Sequence, residues 1–248
     1  MQIEKQAAVV TGASRGLGRA LAEQLAERGA KVVLVGRHLG PLEDVVAGIR
    51  GRGGIAHAIA ADVADKHATH KIAGQAHGLI GEIGIAIHNA STLGRSAGRP
   101  GSSPLRLLLD TECEDLTHVL ETNLVGPFRL TKVLAGAMAL RGEGTIVHVS
   151  SDAAIEPYPT WGAYGISKAA QDHLSRILAA ELSGMGVRVL AVDPGEMDTA
   201  MHAAAVPDAD RSTLQRPAEV AARILQIIED DTRATSGARL VAPAWELR

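Results

Sequence analysis

A tyrosine and a lysine four residues apart, Tyr164 and Lys168 in the run YGISK, can do proton chemistry if the run is helical. A spacing of four puts both side chains on one helix face, their stems about 5–6 Å apart. A free phenol has a pKa near 10, so ionising it at neutral pH costs about 4 kcal/mol, and a fixed cation beside it lowers that cost. The pair predicts a tyrosine that gives and takes a proton. An amphipathic helix with a solvated ammonium would show the same spacing, so the rest of the chain has to supply the reason for it.

A second signature lies near the start. The run Thr11-Gly12-Ala13-Ser14-Arg15-Gly16-Leu17-Gly18 follows the strand-like AAVV and opens the helical pattern RALAEQLAERGA. Free N–H groups and the dipole of a helix N-terminus favour a pyrophosphate there, and glycines let the backbone come close. The glycines are spaced three residues and then one, unlike G-x-G-x-x-G. In dinucleotide sites an acid at the end of the second strand bonds the ribose hydroxyls, whereas a cation there suits a 2′-phosphate. The second strand here ends in Gly36-Arg37, with Arg15 as another cation inside the turn. The expected cofactor is NADP(H) rather than NAD(H).

These residues need a frame to bring them together. Strand patterns at 7–10, 31–35, 55–61, 83–88, 145–149, 187–192 and 238–241 alternate with helical ones at 19–29, 41–50, 65–77, 112–140, from the Tyr/Lys run to about 183, and 217–229. Such alternation predicts an α/β fold, a Rossmann-like doubly wound parallel sheet of about seven strands with helices on both faces. No internal linker or repeat breaks the pattern, so residues 1–248 read as a single domain. Residues 92–110 read as a surface loop. Gly126-Pro127 is expected to bend the long helix, and 196–213 reads as a mobile Ala-rich segment.

Composition narrows the partners. A net charge of −3 without a long Lys/Arg run predicts no nucleic-acid partner and no anionic membrane surface. Apolar residues make up 46% and aromatics 2%, so the core must be built from Ala, Val, Ile and Leu. Cys113 is the only cysteine, which fits a reducing compartment, and MQIEKQ lacks the pattern of a signal peptide; a cytoplasmic location is expected. His67 and His70 read as a surface helix face rather than a metal site, and His148 as a hydrogen-bonded core or sheet-face histidine.

With the glycine turn and the Tyr/Lys pair in place, the chain resembles the short-chain dehydrogenase/reductase family, the single-domain branch of about this length. Thr11-Gly12, Gly16 and Gly18 match its cofactor turn, Asn123 its helix asparagine, Ser151 its serine, and Tyr164 with Lys168 its catalytic pair. The resemblance implies cofactor contacts along the turn (Gly12, Ser14, Arg15, Gly16, Leu17, Gly18) and at Arg37, at Asp62-Val63 on the adenine, at Asn89-Ala90, at Tyr164 and Lys168 on the nicotinamide ribose, and at Pro194, Gly195, Met197 and Thr199 on the nicotinamide. Asp62 could instead cap the helix after it, and Ser150 competes with Ser151. Where the family usually has Asn-Asn-Ala-Gly, this chain has His88-Asn89-Ala90-Ser91.

By this resemblance the reaction is hydride transfer between NADP(H) and a small-molecule carbonyl/secondary alcohol. Tyr164 gives the proton, Ser151 holds the carbonyl oxygen and Lys168 lowers the phenol pKa. Asn123 is implied to hold a water that links Lys168 to solvent. Ile155, Trp161, Met197 and the 200–213 segment are expected to wall the substrate, and Met197 and Met201 suggest an adaptable apolar pocket. A 3-oxoacyl-thioester reductase and a sugar, steroid or xenobiotic ketone reductase remain open, as does a homotetramer or homodimer. The alternative is a non-catalytic dinucleotide sensor or scaffold, whose expected mark is loss of the tyrosine or the lysine.

Overall fold

A strand that leaves a sheet through a helix returns in the same direction, so alternating β-branched runs and amphipathic stretches build a parallel sheet. The computed structural model describes residues 1–95 and 104–246. Strands β1 (Ala7–Thr11), β2 (Lys31–Gly36), β3 (Ile55–Ala60), β4 (Ile83–His88), β5 (Gly144–Val149), β6 (Val187–Asp193) and β7 (Arg239–Val241) form one seven-stranded sheet in the order β3-β2-β1-β4-β5-β6-β7. Every pairing is parallel. The helices are α1 (Gly16–Glu27), α2 (Leu39–Gly51), α3 (Ala68–Ile80), α4 (Cys113–Leu120), α5 (Gly126–Arg141), α6 (Gly162–Glu181), α7 (Ala200–Ala205) and α8 (Pro217–Glu229).

Successive strand residues point to opposite faces, which gives the sheet two cores. Ala8 and Val10 of β1 meet Leu17, Leu21 and Leu25 of α1 and Ile224 and Ile228 of α8. Ala7 and Val9 meet Ile72 of α3 and Leu130, Leu134 and Met138 of α5. The strand order reverses between β1 and β4, and in such sheets the crevice beyond the strand ends at that reversal is where ligands sit. Thr11 and His88-Asn89, at the ends of those two strands, border it.

Two expectations change. The long helix is interrupted one turn before Gly126-Pro127, by a π-helical turn at Glu121–Val125 that holds Asn123. The segment read as mobile carries α7 and is tied down. Asp198 N donates to Gln215 O (2.9 Å), Gln215 N donates to Glu196 O (3.2 Å), and Arg211 pairs with Asp198 at 2.6 Å. Of the 92–110 loop, residues 96–103 lie outside the described residues; a short 3-10 turn at Leu108–Asp110 leads into α4.

Candidate active site

Helix α6 presents Tyr164, Ser167, Lys168, Gln171 and Ser175 on its buried face, as i, i+3, i+4, i+7 and i+11 spacing requires. The Lys168 ammonium lies 5.6 Å from the Tyr164 ring centre. It donates to Val149 O at 2.7 Å and to Gln171 Oε1 at 3.3 Å. Burial governs both members of the pair. It pushes the Tyr164 phenol up to about 12, against the pull of the nearby Ser151 and Ser91 hydroxyls. It brings Lys168 down to about 8, although Asp172 and Asp193 favour its charge. Against the sequence-based expectation of a lowered phenol pKa, desolvation of the phenolate outweighs the favourable contacts. What stands ready is a protonated phenol, a donor.

Ser151 starts the 3-10 turn Asp152–Ala154, where its Oγ accepts from Ala153 N (3.2 Å) and donates to Asp152 Oδ1 (2.9 Å). Ser150 is buried behind it, its hydroxyl turned to the Ser151 carbonyl (3.4 Å). Ser91 was not singled out by sequence as a contact of the phenol. Its hydroxyl is buried, has no hydrogen-bond partner among the described residues, and acts on the same phenol as Ser151. Arg239 was also missed. From β7 its guanidinium binds Asp172 Oδ2 (2.9 Å), Asp193 Oδ2 (3.0 Å) and Ser151 O (2.8 Å), tying α6, the end of β6 and the serine turn together. No local pattern around a lone arginine in RLV announces that role.

Asn123 sits fully buried in the π turn. Its side chain clasps Thr92, accepting from Thr92 N (2.8 Å) and donating to Thr92 O (2.9 Å), and it also donates to Ser167 Oγ (2.9 Å). A side chain also connects Asn123 with Lys168: Gln171 Nε2 donates to Asn123 O at 2.9 Å, and its Oε1 accepts from Lys168 Nζ. His148 is the core histidine expected. It bonds Ser175 Oγ (2.8 Å) and stacks on His88 at 4.9 Å, and burial keeps both rings neutral, His88 near a pKa of about 4.

The glycine turn has the shape an anion needs. Gly12 and Gly16 take left-handed φ values of 67° and 56°. A Cβ on Gly18 would come within 2.4 Å of both Gly12 O and Asn89 Nδ2. Asn89 braces the turn by donating to Thr11 O (3.0 Å) and Gly12 O (3.1 Å), and Ala90 N donates to Thr11 Oγ1 (3.1 Å). At the start of α1, Gly16, Leu17 and Gly18 carry first-turn N–H groups without helical acceptors, and neither an acid nor a side-chain cap competes there. Leu17 turns its side chain into the core, so only its backbone faces the turn. Ser14 is half-buried in the bend, and Arg15 and Arg37 are exposed, with no ion pair or hydrogen bond to their side chains among the described residues. Ala13 N donates to Val35 O (3.2 Å), which joins the turn to the strand end that carries Arg37.

Asp62 does not cap α3: its Oδ1 accepts from Ala64 N (2.9 Å) in a turn well before that helix begins at Ala68, and the residue is exposed. Val63 O lies against Gly126, where a Cβ would approach it to 2.3 Å. Thr199 caps α7 by accepting from His202 N (3.2 Å), and its Cγ2 would lie 3.4 Å from a Cβ on Gly16. The segment after β6 thus reaches across to the glycine turn.

A cleft of about 310 Å³ opens between that segment and the Tyr164 phenol. Ser151, Trp161, Tyr164, Pro194, Gly195, Met197, Thr199 and Met201 line it, and Leu93, Asp152, Tyr158, Glu196 and His202 join them. Trp161 meets Tyr164 edge-on at 5.7 Å and Tyr158 at 6.4 Å. Ile155 is 62% exposed and is not a wall, since the 3-10 turn points it outwards. Among the described residues, the lining holds the carboxylates of Asp152, Asp193 and Glu196 but no lysine or arginine.

A doubly wound sheet with a glycine turn at its strand-order reversal and a Tyr/Lys pair beside a cleft defines a class of dinucleotide-linked oxidoreductase folds. The family model described as short chain dehydrogenase matches residues 6–210, and the chain belongs to that family, as an oxidoreductase. A short chain dehydrogenase of Pseudocercospora fijiensis is 35% identical over 87% of this chain and 67% of its own length. A short chain dehydrogenase of Shigella flexneri, solved in complex with NADP, superposes with a TM-score of 0.88 at 27% identity, covering 98% of each chain. NAD+-bound xylitol dehydrogenase shares the fold, with a TM-score of 0.84 at 23% identity over 97% of this chain and 98% of that one. No helix among the described residues is long and apolar enough to cross a membrane.

Proposed function

We propose that this protein is an NADP(H)-dependent reductase of ketones and aldehydes, with Tyr164 as the proton donor. The observation that carries the reading is the protonated, buried phenol of Tyr164 at the cleft wall, with Lys168 behind it and the hydroxyl of Ser151 beside it. The nicotinamide dinucleotide supplies the hydride when bound. The amides of Gly16, Leu17 and Gly18 and the adjoining Gly12, Ser14 and Arg15 hold its phosphates. Arg15 and Arg37 receive a 2′-phosphate, Asp62-Val63 the adenine, Asn89-Ala90 and Lys168 the ribose end, and Pro194, Gly195, Met197 and Thr199 the nicotinamide. The residues fit such a group, because the turn offers backbone donors and the guanidinium groups of Arg15 in the turn and Arg37 at the end of β2 are exposed, without an ion pair among the described residues.

At the reacting carbon, Ser151 orients the carbonyl oxygen. Tyr164 donates its proton to that oxygen as negative charge builds there, and Lys168 holds a positive charge behind the phenol to offset the phenolate left behind. In the reverse direction the phenolate takes the alcohol proton. Asp152 and Glu196, with no lysine or arginine in the lining among the described residues, favour neutral or cationic carbonyl compounds over anionic ones, and this weighs against a carboxylate or phosphate near the carbonyl. The retained Tyr164 and Lys168 speak against a non-catalytic sensor. We place the protein in the cytoplasm, as a homodimer or homotetramer.

The test is consumption of NADPH against a panel of neutral, cationic and anionic ketones and aldehydes. Turnover is expected with neutral or cationic members, and Tyr164→Phe is expected to lower kcat by at least about a hundredfold while leaving NADPH binding in place. Full turnover by Tyr164→Phe would remove Tyr164 from the mechanism.

A further inference from the structure

Gln171 is a polar side chain where α6 faces the interior, exposed to 1%. A buried amide costs free energy unless its groups find partners. Here both ends are engaged. Oε1 accepts from Lys168 Nζ at 3.3 Å, and Nε2 donates to Asn123 O at 2.9 Å. The orientation is fixed by chemistry, since an ammonium can only donate and a carbonyl only accept. The Gln171 backbone carbonyl in turn accepts from Ser175 Oγ (2.9 Å), whose hydroxyl is held by His148 Nδ1 (2.8 Å), so the side chain is anchored from below.

The partner on the far side exists because of a proline. In an α-helix the carbonyl of Asn123 would accept from the N–H of the residue four on, but that residue is Pro127, which has none. The carbonyl is left to a side chain from another helix. Sequence thus builds both halves of the contact: Pro127 frees an acceptor on the π turn, and Gln171 brings a donor to it with Lys168 on its other end.

We infer that Gln171 is the positioning residue of Lys168: its amide bridges the ammonium directly to the Asn123 carbonyl and holds it between Val149 O and the Tyr164 ring. The inference rests on the proton-donor reading of Tyr164 given above. An ammonium has three N–H donors; Val149 O and Gln171 Oε1 occupy two, which leaves one for the side of the tyrosine and the cofactor. The other charged or titratable groups around Lys168 are Asp172 on α6, Asp193 at the end of β6, His148 on β5 and Tyr164 itself. Arg239 occupies both carboxylates, and His148 is neutral. The amide oxygen of Gln171 is therefore the acceptor through which the charge on Lys168 can be tuned without touching the cofactor or the cleft.

Two variants separate this role from simple packing. Gln171→Met fills a similar volume without the acceptor, and Gln171→Glu makes the acceptor anionic. Lys168 is titrated by NMR of isotope-labelled lysine side chains, assigned with Lys168→Arg, in the NADP+-bound protein. The expected result is a midpoint lowered by about one unit in Gln171→Met and raised by about one unit in Gln171→Glu, a tenfold change in proton affinity each way. The alkaline limb of ketone reduction should move with it. Equal midpoints in wild type and in whichever variants fold would overturn the inference, as would a fall in kcat with an unmoved alkaline limb. The NMR readout needs no turnover, so it can fail or succeed independently of Tyr164→Phe.

Discussion

Tyr164 and Lys168 share one helix face, and burial moves them in opposite directions, the phenol up and the ammonium down. Periodicity places two side chains on one face; only burial says how much solvation each loses. Burial brings Lys168 down to about 8, so its ammonium is present below that pH and is lost as pH rises through it. Carbonyl reduction is therefore expected to hold its rate up to about pH 8 and to fall beyond it, measured as kcat against pH at saturating NADPH. Arg15 and Arg37 carry a separate expectation. Charge-assisted hydrogen bonds contribute about 1.5–3 kcal/mol each, so replacing both by alanine should raise the Kd for NADPH by at least about tenfold while the Kd for NADH stays within about twofold. A titration with each nucleotide checks it. The roles of Ser91, Gln171 and Arg239 escaped the sequence reading because the groups they act on, Tyr164, Asn123 and Asp193, are distant in the chain and no local pattern links them.

The regular elements were legible to within a few residues because their signals are local. The runs at β2 and β4 are β-branched and buried, and α8 ends within its amphipathic pattern at Glu229. The irregular elements were not. Gly126-Pro127 signals a break, yet the missing N–H of a proline disturbs the turn before it, so the irregularity falls on Glu121–Val125 and on Asn123. The 196–213 stretch is Ala-rich and polar, and what ties it, the contacts of Glu196 and Asp198 with Gln215, is again non-local. Two glycines on helices allow a contrast. Gly18→Ala drives a methyl into Gly12 O and Asn89 and should cost about 1–3 kcal/mol, seen as a lower Tm together with loss of NADPH binding. Gly74→Ala, in α3 with nothing within 4 Å of its added carbon, should raise stability by about 0.5–1 kcal/mol in denaturant titration.

For the whole molecule, exposed apolar side chains gather on the outer sides of α5 and α6, with Phe128 42%, Leu140 92%, and Ile166 and Ile177 each 44% exposed. Such a surface fits a second copy of the chain better than water. Light scattering after size exclusion is expected to return a dimer or tetramer, and Phe128→Asp with Ile177→Asp to shift it towards monomer; a wild-type monomer would refute the assembly. Arg239 also has a consequence for how the chain comes into being. During synthesis the glycine turn, β2 and the Tyr/Lys helix all emerge long before β7, and a half-made chain can settle its nucleotide side while the salt bridges to Asp172 and Asp193 have no guanidinium to meet. The clamp that joins the serine turn, α6 and the end of β6 is then among the last contacts the growing chain can make, and it waits for the final strand.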